Sequence, residues 1–224
     1  QNREDAGRRL AAHLLAYREI PDGVILALPR GGVAVAYEVS RALHLPLDVF
    51  ITRKIGAPDN PEYALGAISE GGNIYVNPGA MRDYRFTAQD LKSLAAIQRQ
   101  EIARRQRLYR KGQPALPLKD KVVIIVDDGI ATGATFFASV EAIRQEAPAR
   151  LVAAIPVGPE DTLERVSDAV DELVVLLTPE PFWAVGSHYV DFTQVEDEEV
   201  LRYLQQAGES LREWTRQAHS STAP

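Results

Sequence analysis

The stretch Val122-Val123-Ile124-Ile125-Val126 is an unbroken run of β-branched residues, closed by two carboxylates, Asp127 and Asp128. β-branched side chains suit a pleated strand, and the lack of any polar alternation means that both faces are buried. Strands of this kind belong to parallel sheets covered by helices, so this one segment already favours an α/β fold. The next residues agree with it. Gly129-Ile130-Ala131-Thr132-Gly133-Ala134-Thr135 is small and glycine-punctuated, and Phe136, Phe137, Val140 and Ile143 then recur at helical spacing. A strand, a tight loop and a helix start aim backbone N–H groups and the positive end of a helix dipole at one spot, which suits a phosphate. The acidic pair suits sugar hydroxyls or Mg²⁺. A Walker loop requires Gly-Lys-Ser/Thr, whereas Gly133 is followed by Ala134, and no G-x-G-x-x-G fingerprint is present.

The rest of the chain alternates in the same way. Arg3–Tyr17 reads as an amphipathic helix with Leu10, Leu14 and Leu15 on one side. Val24–Leu28 reads as a short strand followed by Pro29-Arg30-Gly31-Gly32, Val33–Leu43 as a helix, and Leu47–Thr52 as a second strand ending in Arg53-Lys54. This order is a βαβ unit. Residues 56–86 break the rhythm with prolines and glycines, leaving Ala64–Ser69 and Asn73–Val76 as short extended pieces. Thr87, with Asp90 three positions later, opens a long helix to about Arg110 whose arginines read as a solvated face. Leu151–Val157 and Glu172–Leu177 are further strands, Glu160–Val166 a short helix, residues 179–192 a loop and residues 197–218 a closing helix. The expected fold is an open, mostly parallel, Rossmann-like sheet with helices on both faces, in which ligands sit beyond the carboxyl ends of the strands. A single domain over residues 1–224 is expected.

Composition narrows the function. A net charge of −6 gives no global basic field for nucleic acid. With no cysteine there is no disulfide or thiolate metal site, and the four histidines are not at zinc-ligand spacing. No apolar run approaches the roughly 20 residues of a membrane span. A soluble cytoplasmic protein is expected.

The segment Val122–Thr135 resembles the phosphoribosyl pyrophosphate (PRPP) signature of type I phosphoribosyltransferases: an apolar strand, two acids and a T-G-x-T loop. The resemblance extends in outline over residues 24–192. It implies that Asp127 and Asp128 hold the ribose hydroxyls and help to place Mg²⁺, and that Gly129, Ile130, Ala131, Thr132, Gly133, Ala134 and Thr135 wrap the 5′-phosphate. Pro29, Arg30, Gly31 and Gly32 resemble the family's pyrophosphate loop, where a non-proline cis peptide is often found, and Arg53 and Lys54 resemble its pyrophosphate-binding Arg-Lys pair. Residues 56–72 resemble the flexible catalytic loop, with Glu62, Tyr63 and Glu70 as contributors, and residues 56–111 comprise that loop and an inserted helix. Residues 179–192 take the place of the hood, with Phe182 and Trp183 to stack on a base and Asp191 to accept from a ring nitrogen. One departure stands out: 6-oxopurine-using branches carry an aspartate where this chain has Ala131. Its loop is closer to those of adenine- and uracil-using branches, which implies either a base that arrives already deprotonated or a proton acceptor elsewhere, with Asp191 or Glu70 as candidates. The implied function is transfer of the 5-phosphoribosyl group from PRPP to a nitrogenous base by a Mg²⁺-dependent, cytoplasmic enzyme, or alternatively PRPP sensing without transferase chemistry. The resemblance also implies a homodimer.

Overall fold

In the computed structural model, Val123, Ile124, Ile125 and Val126 are all completely buried, as a strand without a polar face requires. Residues 2–221 are described, apart from the side chains of Glu62, His219 and Ser221. In chain order the elements are α1 (Arg3–His13), β1 (Gly23–Ala27), α2 (Gly31–Leu43), β2 (Leu47–Val49), β3 (Thr52–Ala57), β4 (Asn60–Ser69), β5 (Ile74–Val76) and α3 (Pro78–Asp83). They continue with α4 (Ala88–Arg110), β6 (Val122–Val126), α5 (Ala134–Gln145), β7 (Arg150–Val157), α6 (Glu160–Ala169), β8 (Glu172–Leu177) and α7 (Asp197–Ser221). The chain divides into two compact units. One comprises the segments up to Val49, Leu116–Ala131 and from Pro148 onward; the other comprises Phe50–Ala115 and Thr132–Ala147.

The first unit carries a parallel five-stranded sheet in the order β2-β1-β6-β7-β8. The signature strand β6 is central, with Ile124 opposite Ile25 of β1 on one side and Val152 of β7 on the other. Helix α1 packs on α2, and α2 packs on β1, which buries Leu10, Leu14, Val35, Val39 and Leu43. The Asn2 side chain caps α1 by accepting from the Asp5 N–H at 3.0 Å.

The second unit departs from expectation. The chain leaves the parallel sheet at Val49 and enters an antiparallel sheet, β3-β4-β5, in which Arg53 lies opposite Ile68 and Lys54 opposite Ala67. Arg53 and Lys54 are therefore within a hairpin and not at the end of a parallel strand. Residues 56–72, expected as a glycine-rich loop, are mostly this hairpin. The extended pieces Ala64–Ser69 and Asn73–Val76 lie in β4 and β5, and the apolar positions Ile55, Leu65, Ala67 and Ile68 are buried under α4 or α5. The Thr87 capping box forms as the sequence predicts, with the Asp90 carboxylate accepting from the Thr87 N–H at 2.8 Å.

The α4 arginines are not simply a solvated face. Arg110 is buried against Glu70 at 2.8 Å, and Glu70 Oε2 also accepts from the Ile51 N–H at 3.0 Å. Removing one member of a buried pair leaves the other charge uncompensated. Glu70→Ala is expected to destabilise the protein by about 3 kcal/mol in urea denaturation, and Glu70→Gln by less. A loss below about 1 kcal/mol for Glu70→Ala would contradict this account.

Candidate active site

The carboxyl ends of β1, β6 and β7 are joined by backbone bonds that continue past the strands. The Leu28 N–H donates to the Val126 carbonyl at 2.9 Å, and the Ile130 N–H donates to the Val157 carbonyl at 2.9 Å. The loop Pro29–Gly32 is thereby laid against Asp127 and Asp128. The Pro29–Arg30 peptide is cis, as the resemblance implies. A Cβ at Gly31 would run into Asp128 Oδ2, and one at Gly32 would meet the Val126 carbonyl oxygen at 2.9 Å. Glycine is required where the loop approaches the acidic pair this closely.

The two carboxylates differ. Asp127 Oδ1 accepts from the Asp128 N–H at 2.9 Å. Desolvation, and then the negative charge of Asp128, push Asp127 well above the ordinary carboxylate range, while Arg3 pulls it down. Asp128 Oδ2 accepts from Arg3 Nε at 2.7 Å, and its backbone carbonyl accepts from the Tyr189 hydroxyl at 2.6 Å. Burial and the charge of Asp128 raise the Tyr189 phenol above its ordinary value, so it remains a donor. Arg3 and Tyr189 were both missed in the sequence. Arg3 left a readable signal, because it shares the helical stripe of Gly7, Leu10 and Leu14 and so sits on the buried face of α1. Tyr189 left none beyond being aromatic.

Arg30 does not stand alone. Its Nη1 lies 2.7 Å from Glu196 and 4.0 Å from Asp197. In the segment offered as a hood, Phe182 stacks on His188 with centroids 5.4 Å apart, and Trp183 points outward at 81% exposure. Asp191 Oδ1 accepts from both the N–H and the hydroxyl of Thr193, which holds its carboxyl below the usual range and makes it a poor proton acceptor. Glu70, the other candidate, is the buried partner of Arg110 in the second unit.

Within that second unit, Thr132 and Thr135 flank Gly133, which takes φ 79° as the N-cap of α5. No side chain caps this helix, and the first helical bond is from the Phe137 N–H to the Gly133 carbonyl at 2.8 Å. The donors of the first turn are thus left for another acceptor. Arg53 Nε donates to Gln98 at 3.2 Å. Tyr63 is bonded to Asp83 at 2.8 Å, and the Glu62 side chain lies outside the described residues.

Residues 1–191 match the family model described as the phosphoribosyl transferase domain. The chain belongs to this family. The crystal structure of TT1426 from Thermus thermophilus is similar, with 43% sequence identity, a TM-score of 0.77, and coverage of 92% of this chain and 97% of that one. A Mycobacterium tuberculosis H37Rv protein named "Putative phosphoribosyl transferase Rv0571c" is 42% identical over 214 residues, and a protein of strain CDC 1551 matches equally well. Those residues are 95% of this chain but 48% of the relative, so the chain spans about half the length of the curated relatives it matches.

Two outcomes test this geometry. Gly31→Ala should destabilise the protein by about 1–3 kcal/mol, whereas Gly71→Ala, where the nearest atom to a new methyl is 3.6 Å away, should have little effect in the same thermal melts. The raised proton affinity of Asp127 favours the folded state fully below the ordinary carboxylate range, and this contribution is lost as pH rises through the raised value. Asp127→Asn, permanently neutral, should therefore raise Tm by roughly 2–4 °C at pH 8 and change it little at pH 4. Equal melting of the two proteins at pH 8 would refute the strain assigned to this carboxyl.

Proposed function

We propose that this chain transfers the 5-phosphoribosyl group of PRPP to a nitrogenous base. In this reaction the bond from C1 of the ribose to pyrophosphate breaks, a bond from C1 to a base nitrogen forms, and the proton of the base passes to the departing pyrophosphate or to water. The observation that carries this reading is the pair Asp127–Asp128 at the carboxyl end of the central strand, crowded by the glycine loop after β1. Two adjacent carboxylates, one held toward its neutral form and the other met by Arg3 at Oδ2, make a place rich in hydrogen-bond acceptors. Ribose hydroxyls, which donate, suit it.

The roles rest on each residue's chemistry and on the family. Asp127 and Asp128 accept from the ribose hydroxyls. Thr132, Gly133 and Thr135, at an uncapped helix start, hold the 5′-phosphate together with Gly129, Ile130, Ala131 and Ala134. In the glycine loop the Arg30 and Gly31 N–H groups and the Arg30 guanidinium would meet the pyrophosphate, since the Gly32 N–H is taken by the Leu28 carbonyl; Arg53 and Lys54 are assigned to it on the family resemblance alone. On the family resemblance, Phe182, Trp183 and Asp191 would contact the base, with Asp191 as a hydrogen-bond acceptor rather than a proton acceptor. Catalysis is then mainly positioning and electrostatic stabilisation, with water kept from an oxocarbenium-like carbon.

Mg²⁺ fits the donor set. Among the described residues no group of three or more His, Cys, Asp or Glu side chains gathers to hold a metal. Two carboxylates, with the remaining oxygens from pyrophosphate and water, are the usual way Mg²⁺ is held, and Asp127 and Asp128 would supply them. When bound, the ion would neutralise charge developing on the pyrophosphate.

The test is a mass-spectrometric assay of the purified protein with Mg²⁺, PRPP and a pool of purine, pyrimidine and pyridine bases. A new nucleotide is the expected result and names the acceptor; PRPP binding without any nucleotide would favour the sensing role instead. Asp128→Asn is expected to lower turnover by at least about tenfold, and Lys111→Ala, on an exposed helix end, to leave it unchanged. Wild-type turnover by Asp128→Asn would sink the assignment.

A further inference from the structure

Arg3 is 8% exposed, and a guanidinium taken that far from water needs partners. It has three. Nε donates to Asp128 Oδ2 at 2.7 Å, Nη1 donates to the Thr193 carbonyl at 2.8 Å, and the guanidinium plane lies 3.9 Å over the Phe192 ring. The same short segment returns to Asp128 through Tyr189, whose hydroxyl donates to the Asp128 carbonyl oxygen. Asp128 is thus held at its side chain from α1 and at its main chain from residues 189–193. The pair is also packed against the glycine loop, because a Cβ at Gly31 would meet Asp128 Oδ2 and would stand 3.0 Å from Arg3 Nε.

We propose that Arg3 is a positioning residue for the sugar site, an inference that rests on the phosphoribosyl reading above. By occupying Oδ2 from the helix side, Arg3 fixes the rotamer of Asp128 and presents Oδ1 to a ribose hydroxyl. Through Thr193 and Phe192 the same guanidinium ties that carboxylate to the segment 189–193, which contains Asp191, one of the groups assigned to the base. The planar fork of arginine is what permits both jobs at once; a lysine ammonium at the same place would keep the charge but not the two fixed directions.

Calorimetric titration of the full chain with PRPP and Mg²⁺ tests this, run on wild type, Arg3→Ala, Arg3→Lys, Asp128→Asn and the Arg3→Ala/Asp128→Asn double variant, with thermal melts alongside. Arg3→Ala is expected to weaken PRPP binding about tenfold and Arg3→Lys about threefold. In the Asp128→Asn background the Arg3→Ala change should add no more than about threefold, because the two residues act as one unit. A lowered Tm with wild-type binding would assign Arg3 a purely structural role and overturn the proposal. So would a fully additive double variant. If Arg3→Ala does not fold, Arg3→Lys decides: weakened binding with a wild-type Tm supports the proposal, and wild-type binding overturns it. A wild-type protein that binds no PRPP would remove the phosphoribosyl reading itself and this inference with it, whereas a binding wild type with indifferent Arg3 variants removes the inference alone.

Discussion

A strand buried on both faces can carry no polar side chain until it ends, and this constraint organises the first unit. From Val122 to Val126 the backbone of β6 is paired with β1 and β7 on either side, and from Val123 onward its side chains are closed into the core. All the chemistry of this segment is therefore displaced to its carboxyl terminus, where Asp127 and Asp128 emerge together. Their mutual repulsion has to be answered locally. The answer is Arg3 on one oxygen of Asp128, the Asp128 N–H on Asp127, and a glycine loop that brings backbone in place of side chains.

The second unit is held by a different balance. Its antiparallel sheet is short, and buried polar contacts supplement the apolar ones. Ser139, fully buried on α5, donates to the Thr52 hydroxyl at 2.8 Å, and its oxygen also lies 2.9 Å from the Thr135 carbonyl. Glu70 joins Arg110 of α4 to the Ile51 amide. Directional contacts of this kind fix one arrangement where hydrophobic area alone would tolerate several.

Legibility in the sequence tracked periodicity. The strands of the parallel sheet and the helices α2, α4 and α7 repeat apolar residues over enough positions to be read directly, and the capping box at Thr87 marks its boundary to the residue. The hairpin β3–β4 was read only in fragments, because Gly56, Pro58 and Pro61 signal a loop locally while burial under α4 and α5 decides the conformation from a distance. At the site, Asp127, Asp128 and the glycines were legible because strand-end chemistry is local. Arg3 was not read, since its partner is 125 positions away in the chain. The engagement of Asp191 by Thr193 was equally hidden, since a side chain that satisfies its own turn reads the same as one that faces a ligand.

The ion pair of Arg30 with Glu196, close to Asp197 at the start of α7, has a consequence for any anion arriving at the glycine loop. The cation is already neutralised before the visitor comes, so capture is an exchange of partners rather than the making of a new one. A monoanion offers Arg30 little that a carboxylate does not already supply. Under the proposed function, a pyrophosphate, which brings several charges, would displace the resident acids from Arg30. The acidic start of α7 would then act as a threshold at Arg30, favouring polyanions over monoanions.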